Sequence, residues 1–437
     1  MKAILEIRDY SPGDERFRVI AGRGADIDAD IGVRVAEIIA AIRKGGGDSL
    51  LDYIRKFDAP LPGLDALRVT GAEMDDAASR TEPEFGEAIA RAADNIRAFH
   101  LHQVRKGYVH DAGDGVVLEK RVLPIARVGV YCPAGTAPLF SSMLMNVIPA
   151  RIAGVSEIAV AIPPRKDGTV CPYMLRTARM LEIDEIYKMG GAQAIAALAY
   201  GAGPVRRVDK IVGPGNAYVA TAKRQVFGTV GIDSVAGPSE IVVIADASAD
   251  PRFIAADLLS QVEHGSGFES GVVLTDSREL AQAVQKEAAR MTAGLERADA
   301  IRKSLGSYGA LFVCRSLEEA VDAANVIAPE HLELQTERPR DVLPGILNAG
   351  AVFLGPWSSE PVGDYYAGTN HVLPTNGAAR FSSSLGVADF QKDMSVVEYG
   401  ERALKSAGAE IMLMAETENL TAHANAIRVR CNVYNGV

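Results

Sequence analysis

"RVGVYCPAGTAPLFSSMLMNVIPARIAGVSEIAVAIPP", running from Arg127 to Pro164, is the stretch that decides the fold. Two short apolar runs, RVGVYCP and SEIAVAIPP, each stop at proline and enclose the helix-like SSMLMNVIPARIAG. A strand, a helix and a second strand in that order predict a parallel sheet. The rhythm continues downstream, with DEIYKMGG and DKIVGPG as buried strands and YMLRTARML and AQAIAALAYG as helices. A second set follows in SEIVVIAD, SGVVLTD, GALFVCRS and AGAVFLGPW, spaced by helical segments such as SRELAQAVQKEAARMTAGL. Two α/β modules in tandem predict a cleft between them.

Outside these modules the pattern changes. The part before about Leu118 reads as mostly helical, with GGG closing one helix and Asp48 or Ser49 capping the next. Beyond Ser384 the chain reads as helical and polar again, ending in ENLTAHANAIRVR. With 437 residues, two or more domains are expected. A net charge of −10 with scattered basic residues gives no footprint for nucleic acid. The start, MKAILEIRDY, lacks the apolar run of a signal peptide, and no later run is long enough for a bilayer. The four cysteines, Cys132, Cys171, Cys314 and Cys431, form no CxxC pair, which argues against a disulfide framework and a cysteine-rich zinc site. A cytoplasmic enzyme without membrane or nucleic-acid partners is expected.

Of seven histidines, those in FHLHQ (His100, His102) and VHDAGDG (His110) fit solvated or structural roles. Gln261 and His264 in LLSQVEHGSG lie three apart, on one face of a predicted helix end. They read either as a solvated C-terminal turn or as half of a metal site. In IAPEHLEL, Pro329 at a helix N1 position would put Glu330 and His331 in a first turn. A carboxylate beside an imidazole is a natural acid/base pair, although glutamate in a first turn is also ordinary helix chemistry. GDYYAGTNHVLPTNG places Asp364 and His371 on a loop after the strand AVFLGPW. There Asp364 suits a hard oxygen ligand and His371 a donor to a substrate carboxylate, or Asp364 simply caps a turn. Glu418 and His423 stand five apart in the tail, where nothing local demands either. Gln261, His264, Asp364 and His423 would satisfy the four ligands of zinc, but no spacing rule forces the choice. The turns YCPAGTAP, MGGAQA and VGPGNAY could offer backbone N–H groups to phosphate, yet none is a GxGxxG, and tight βα turns explain them as well.

Taken in order, GGAQAIAALAYG, VDKIVGPGNAYVATAKRQVFGTVGID, AGPSEIVVIAD, AADLLSQVEHG, APEHLEL, GDYYAGTNHVLPT and TAHANA closely resemble the histidinol dehydrogenases. The similarity runs from IRKGGGDSLLDYIRKFD to the tail. It implies an α/β protein of two tandem incomplete Rossmann-like modules, a helical N-terminal part and a small helical tail. The expected division is an N-terminal arm over 1–28, a discontinuous α/β domain over 29–130 and 241–384, an NAD-side α/β domain over 131–240, and a tail over 385–437.

The resemblance further implies oxidation of L-histidinol to L-histidine through an enzyme-held aldehyde, in two NAD-dependent steps, with one zinc per site. It implies Gln261, His264, Asp364 and His423 as zinc ligands, His331 as the proton-transferring base and Glu330 as the group that activates water. Ser141, Ser239, His371 and Glu418 would line the substrate site together with the ligands and His331, and Tyr131, Gln193 and Asn216 would lie near NAD. A homodimer is implied, its tail reaching across so that His423 completes the partner's site. Two departures stand out: Cys132 and Ala134 where a small apolar residue and glycine are expected, and Asp393 where a basic residue is usual. The rival readings are a related dehydrogenase with a different alcohol, a zinc hydrolase using Glu330 and metal-bound water, and a non-catalytic interaction protein.

Overall fold

A computed structural model describes residues 4–23, 29–134, 137–264 and 266–432. Its strands, in chain order, begin with β1 (Ile7–Asp9), β2 (Tyr108–Gly113), β3 (Val116–Pro124), β4 (Arg127–Tyr131), β5 (Glu157–Ile162), β6 (Glu185–Lys188) and β7 (Lys210–Val212). They continue with β8 (Gly231–Ile232), β9 (Glu240–Ala245), β10 (Ser270–Thr275), β11 (Gly309–Val313), β12 (His331–Gln335), β13 (Ala351–Leu354) and β14 (Gln391–Tyr399).

The unit at Arg127–Pro164 forms as the sequence predicts: β4, the helix Phe140–Ala153, then β5 paired parallel to β4 with Val130 opposite Val160. It lies at the centre of a five-stranded parallel sheet of order β6-β5-β4-β7-β8. A second parallel sheet has the order β1-β11-β10-β9-β12-β13. Both are buried on both faces, which is why their central strands read as unbroken apolar runs rather than alternating ones.

The chain divides into two compact units, residues 1–103 with 125–389, and 104–124 with 390–437. The first holds both parallel sheets. Its N-terminal segment joins the six-stranded sheet, β1 pairing with β11 at the edge. The helical element Ala29–Phe57, interrupted at Gly46 within GGG, buries Val35, Ile38, Ile42, Leu50 and Ile54 against the five-stranded half. The expected grouping of 29–130 with 241–384 therefore differs from the packing. The apolar face of that long helix matches the surface of the helices Gly191–Tyr200 and Ala217–Val226, and β4 itself belongs to the five-stranded sheet.

The second unit corrects two helical readings. VHDAGDGVV forms a hairpin, β2–β3, turning through Asp114 and Gly115 at positive φ, as Asp-Gly favours. Gln391–Tyr399, expected as helix, pairs antiparallel with β3 over its full length. Asp393 finds its partners there, Lys120 Nζ at 2.8 Å and Arg105 Nη2 at 3.3 Å, so an acid is well accommodated at that position. The helices Glu401–Thr417 and Thr421–Asn432 follow.

The turn after β7 is braced by a buried ion pair. Lys223 and Asp233 face each other with side chains 2% and 4% exposed. Lys223 Nζ donates to Gly213 O at 2.9 Å, and Gly213 N donates to Asp233 Oδ2 at 2.7 Å. Gly213 has φ +112°, and a Cβ there would lie 2.1 Å from Tyr131 O, so only glycine fits. Lys223→Met should leave Asp233 buried without its cation and destabilise the chain by about 3–5 kcal/mol. Urea unfolding followed by circular dichroism checks this, the midpoint dropping without a change in slope.

Candidate active site

The APEHLEL segment is not a helix start. The helix Leu317–Ile327 ends at Ala328 in the left-handed region, and His331 opens β12. Proline cannot extend the preceding helix, and HLELQ alternates polar and apolar residues with the period of a strand; all five residues are buried. Parallel pairing sets His331 opposite both Ile241 of β9 and Ala351 of β13. Glu330 and His331 thus stand at the amino edge of the six-stranded sheet, not in a helix and not at its carboxyl edge.

Backbone contacts fix the pair. Glu240 N donates to Glu330 Oε2 at 3.0 Å, and Glu330 N donates to Glu240 Oε2 at 3.4 Å. His331 Nδ1 lies 3.2 Å from Glu240 O, an acceptor, so Nδ1 keeps its proton and Nε2 is the nitrogen that gains or loses one. That Nε2 is buried and has no hydrogen-bond partner. It lies 3.6 Å from Asp364 Oδ1, while Nδ1 lies 3.6 Å from Glu330 Oε2. Burial pushes the Glu330 carboxyl up to about 7, partly opposed by His331. Burial lowers His331, but the Glu330 and Asp364 carboxylates outweigh it and raise the imidazole to about 9. Gly350 packs against Glu330, where a Cβ would come 2.6 Å from its carbonyl oxygen.

Asp364 reaches the same edge by a return path. β13 runs away from it, and the short helix Glu360–Tyr365 brings the chain back. Burial opposes ionisation of Asp364, yet His331 and His371 hold its carboxyl down at about 2. His371 Nδ1 donates to Asp364 O at 2.9 Å, and its Nε2 lies 3.4 Å from Ser142 Oγ on the helix Phe140–Ala153. His371 therefore joins the two α/β halves, with buried Ser141 beside that contact on the same helix. Ser239 precedes Glu240, and its carbonyl accepts from Ser270 N.

Gln261 lies in the last turn of the helix Pro251–Val262, buried, with Oε1 lacking any hydrogen-bond partner. The helix stops at Val262, so His264 sits in the turn beyond it, exposed, rather than on the same helical face; Gly265 lies outside the described residues. Ser260, next to Gln261, donates to Glu360 Oε2 at 3.3 Å and ties this helix end to the Asp364 helix. Among the described residues His331, Glu360 and Asp364 bring ligand atoms within 4.8 Å of one another. A helix C-terminus, an orphaned amide oxygen and an ionised carboxylate favour a cation. His423 and Glu418 belong to the second unit, both exposed, on the helix Thr421–Asn432 and at the end of Glu401–Thr417.

The residues expected near the cofactor lie at the carboxyl edge of the five-stranded sheet. Tyr131 ends β4, and its hydroxyl accepts from Gly191 N at 3.2 Å; Gln193 Nε2 donates to Asp58 Oδ2 at 3.0 Å. Both are buried and support the MGGAQA turn from behind. Asn216 is exposed and caps the helix Ala217–Val226, accepting from Tyr218 N and Val219 N. The glycine turns thus use several N–H groups internally, as tight βα turns do; Gly135 and Thr136 of YCPAGTAP lie outside the described residues. Cys132 is fully buried and its thiol is pushed up by burial, so it is no nucleophile.

Comparison with known proteins gives the family. The family model described as histidinol dehydrogenase matches residues 22–431. The chain belongs to the histidinol dehydrogenase family. It is 52% identical over 396 residues to the histidinol dehydrogenase of Geobacillus kaustophilus, covering 91% of this chain and 93% of that one. It is 48% identical over 403 residues to that of Heliobacterium mobile, covering 92% and 94%. The crystal structure of histidinol dehydrogenase from Elizabethkingia anophelis matches with a TM-score of 0.92 at 36% identity, over 100% of both chains.

Sequence reading had missed Glu240, Glu360, Ser142 and Asp58. Two carried a signal. Glu240 heads the apolar run IVVIA, where a buried acid must find partners, and Glu360 precedes Asp364 by one helical turn.

Proposed function

We propose that this chain oxidises L-histidinol to L-histidine through L-histidinaldehyde, in two NAD-dependent steps, in the cytoplasm. The observation that supports this most is His331 held between two carboxylates, Glu330 on its Nδ1 side and Asp364 on its Nε2 side, both at 3.6 Å. A four-electron oxidation needs a base for the alcohol proton and a second group to activate water on the aldehyde. With Nδ1–H given to Glu240 O, His331 Nε2 is the nitrogen that takes the hydroxyl proton in the first step. The imidazole is held up at about 9, so it does this from the deprotonated form, which gains population as pH rises toward 9. Glu330, its carboxyl raised to about 7 by burial, is matched to drawing a proton from water in the second.

Gln261, His264, Asp364 and His423 would hold one zinc ion. When bound, it would fix the imidazole and amine of the substrate. The unpartnered Gln261 Oε1 and the ionised Asp364 support that ligand set. His371, Ser141, Ser239 and Glu418 would bind and orient histidinol. NAD would supply the hydride acceptor for each oxidation when bound. Asn216 would meet it at a helix N-terminus suited to an anionic group, with Tyr131 and Gln193 shaping the turn behind. Among the described residues no helix is long and apolar enough to cross a membrane.

Glu418 and His423 would enter the site of a second copy, giving two composite sites in a twofold homodimer. Apolar side chains exposed on the second unit, including Val397 at 68%, Leu413 at 65% and Met414 at 61%, support a partner covering it. Trp357, 83% exposed, and Tyr365, beside Asp364, do the same for the first unit.

Two outcomes are expected. Glu330→Gln should slow aldehyde oxidation by roughly 10²–10⁴-fold while sparing the first hydride transfer, and His331→Gln should slow both steps. Single-turnover absorbance with histidinol and with histidinaldehyde separates them, and equal loss of both steps in Glu330→Gln contradicts the assignment. His423→Ala should lose bound zinc by metal analysis and be nearly inactive. Refolded together with His331→Gln it should regain activity, because a mixed dimer holds one undamaged site. Mixed dimers as inactive as their parents would mean that the tail serves its own subunit.

A further inference from the structure

We propose that Arg23 and Glu240 are positioning residues for the Glu330–His331 pair, the arginine locking the one residue whose backbone holds both. This rests on the reading of Glu330 and His331 given above. Glu240 touches both groups through its own peptide: its N–H donates to Glu330 Oε2 at 3.0 Å, and its carbonyl accepts from His331 Nδ1 at 3.2 Å. Any rotation of that residue turns the donor away from the carboxylate and the acceptor away from the ring together.

The Glu240 side chain prevents the rotation. Its carboxylate is 5% exposed and is held from three directions: Glu330 N at 3.4 Å, Asn376 N at 3.1 Å and Arg23 Nη1 at 3.4 Å. Two of these are neutral N–H groups; Arg23 supplies the cation. The guanidinium is itself fixed, its side chain 7% exposed, donating to Phe268 O at 2.5 Å and lying 4.8 Å over the Tyr308 ring. Such a buried cation is costly unless it is paired, and its pairing with Glu240 explains why the N-terminal segment reaches the amino edge of the sheet. Without Arg23, the Glu240 carboxylate would keep only neutral N–H donors around it, and the one cation left beside the Glu240–Glu330 pair would be His331, the group that has to be positioned.

The test uses the purified full chain. Arg23→Met should cut the single-turnover rate of aldehyde oxidation by about 10- to 100-fold with KM little changed, the loss typical of misplaced rather than missing groups. Arg23→Lys, which keeps the cation, should stay within about threefold of the parent. A merely structural role would lower the melting temperature and the folded fraction while leaving the rate per folded molecule unaltered, and that result overturns the proposal. Should Arg23→Met fail to fold, Glu240→Gln decides, since its amide end cannot accept from both N–H groups. The same loss in its folded fraction supports the proposal, and parental rates overturn it. The Glu330→Gln control separates the two claims. A slow control with parental Arg23→Met and Glu240→Gln rates refutes the positioning alone, whereas a fast control refutes the role of Glu330 itself.

Discussion

The parallel pairing of β9 with β12 carries the site. Its register sets His331 opposite Ile241, which puts Glu330 next to Glu240 and the imidazole against the Glu240 carbonyl. A slip of one residue would turn His331 to the other face of the sheet. It would also move Leu332 and Leu334 out of a core they share with Val242 and Ile244, so apolar packing and the catalytic geometry enforce one register. The same contact keeps a proton on His331 Nδ1, because that nitrogen faces a backbone carbonyl.

The two parallel sheets gather their candidate site residues at opposite ends. In the six-stranded half the chemistry gathers at the amino edge, where the helix Pro251–Val262 runs back and ends, so a helix C-terminus and carboxylates concentrate negative charge. That suits a cation. In the five-stranded half the residues expected near NAD gather at the carboxyl edge, where helices begin and anions are favoured. His371, bonded to Asp364 O and close to Ser142, couples one half to the other. The two ends thus offer environments of opposite polarity within one chain, as the proposed cation-held substrate and anionic cofactor would require.

The parallel sheets were legible because their strands are buried on both faces and read as apolar runs ended by glycine or proline. The antiparallel sheet was not. VHDAGDG and QKDMSVVEY are largely exposed and carry no apolar run, and the pairing of β14 with β3 joins segments far apart in sequence. APEHLEL misled for a local reason: Pro329 marks a helix start as readily as a helix stop, and only β9 and β13 on either side make HLELQ a strand. Candidate residues were legible through motif, and the structure gathers Glu330, His331, Asp364 and His371 by contact. Glu240 acts mainly through its backbone, which no residue type announces. Arg23 pairs with it from more than two hundred positions away in the sequence.

The central claim is that one site performs both oxidations, with His331 and Glu330 in successive roles. Its most direct test is the stoichiometry of reduced cofactor, read as absorbance, when a limiting amount of L-histidinol is consumed with excess NAD. The account predicts two equivalents of NADH per histidinol and L-histidine as product. One equivalent with free aldehyde released, or none, would contradict it.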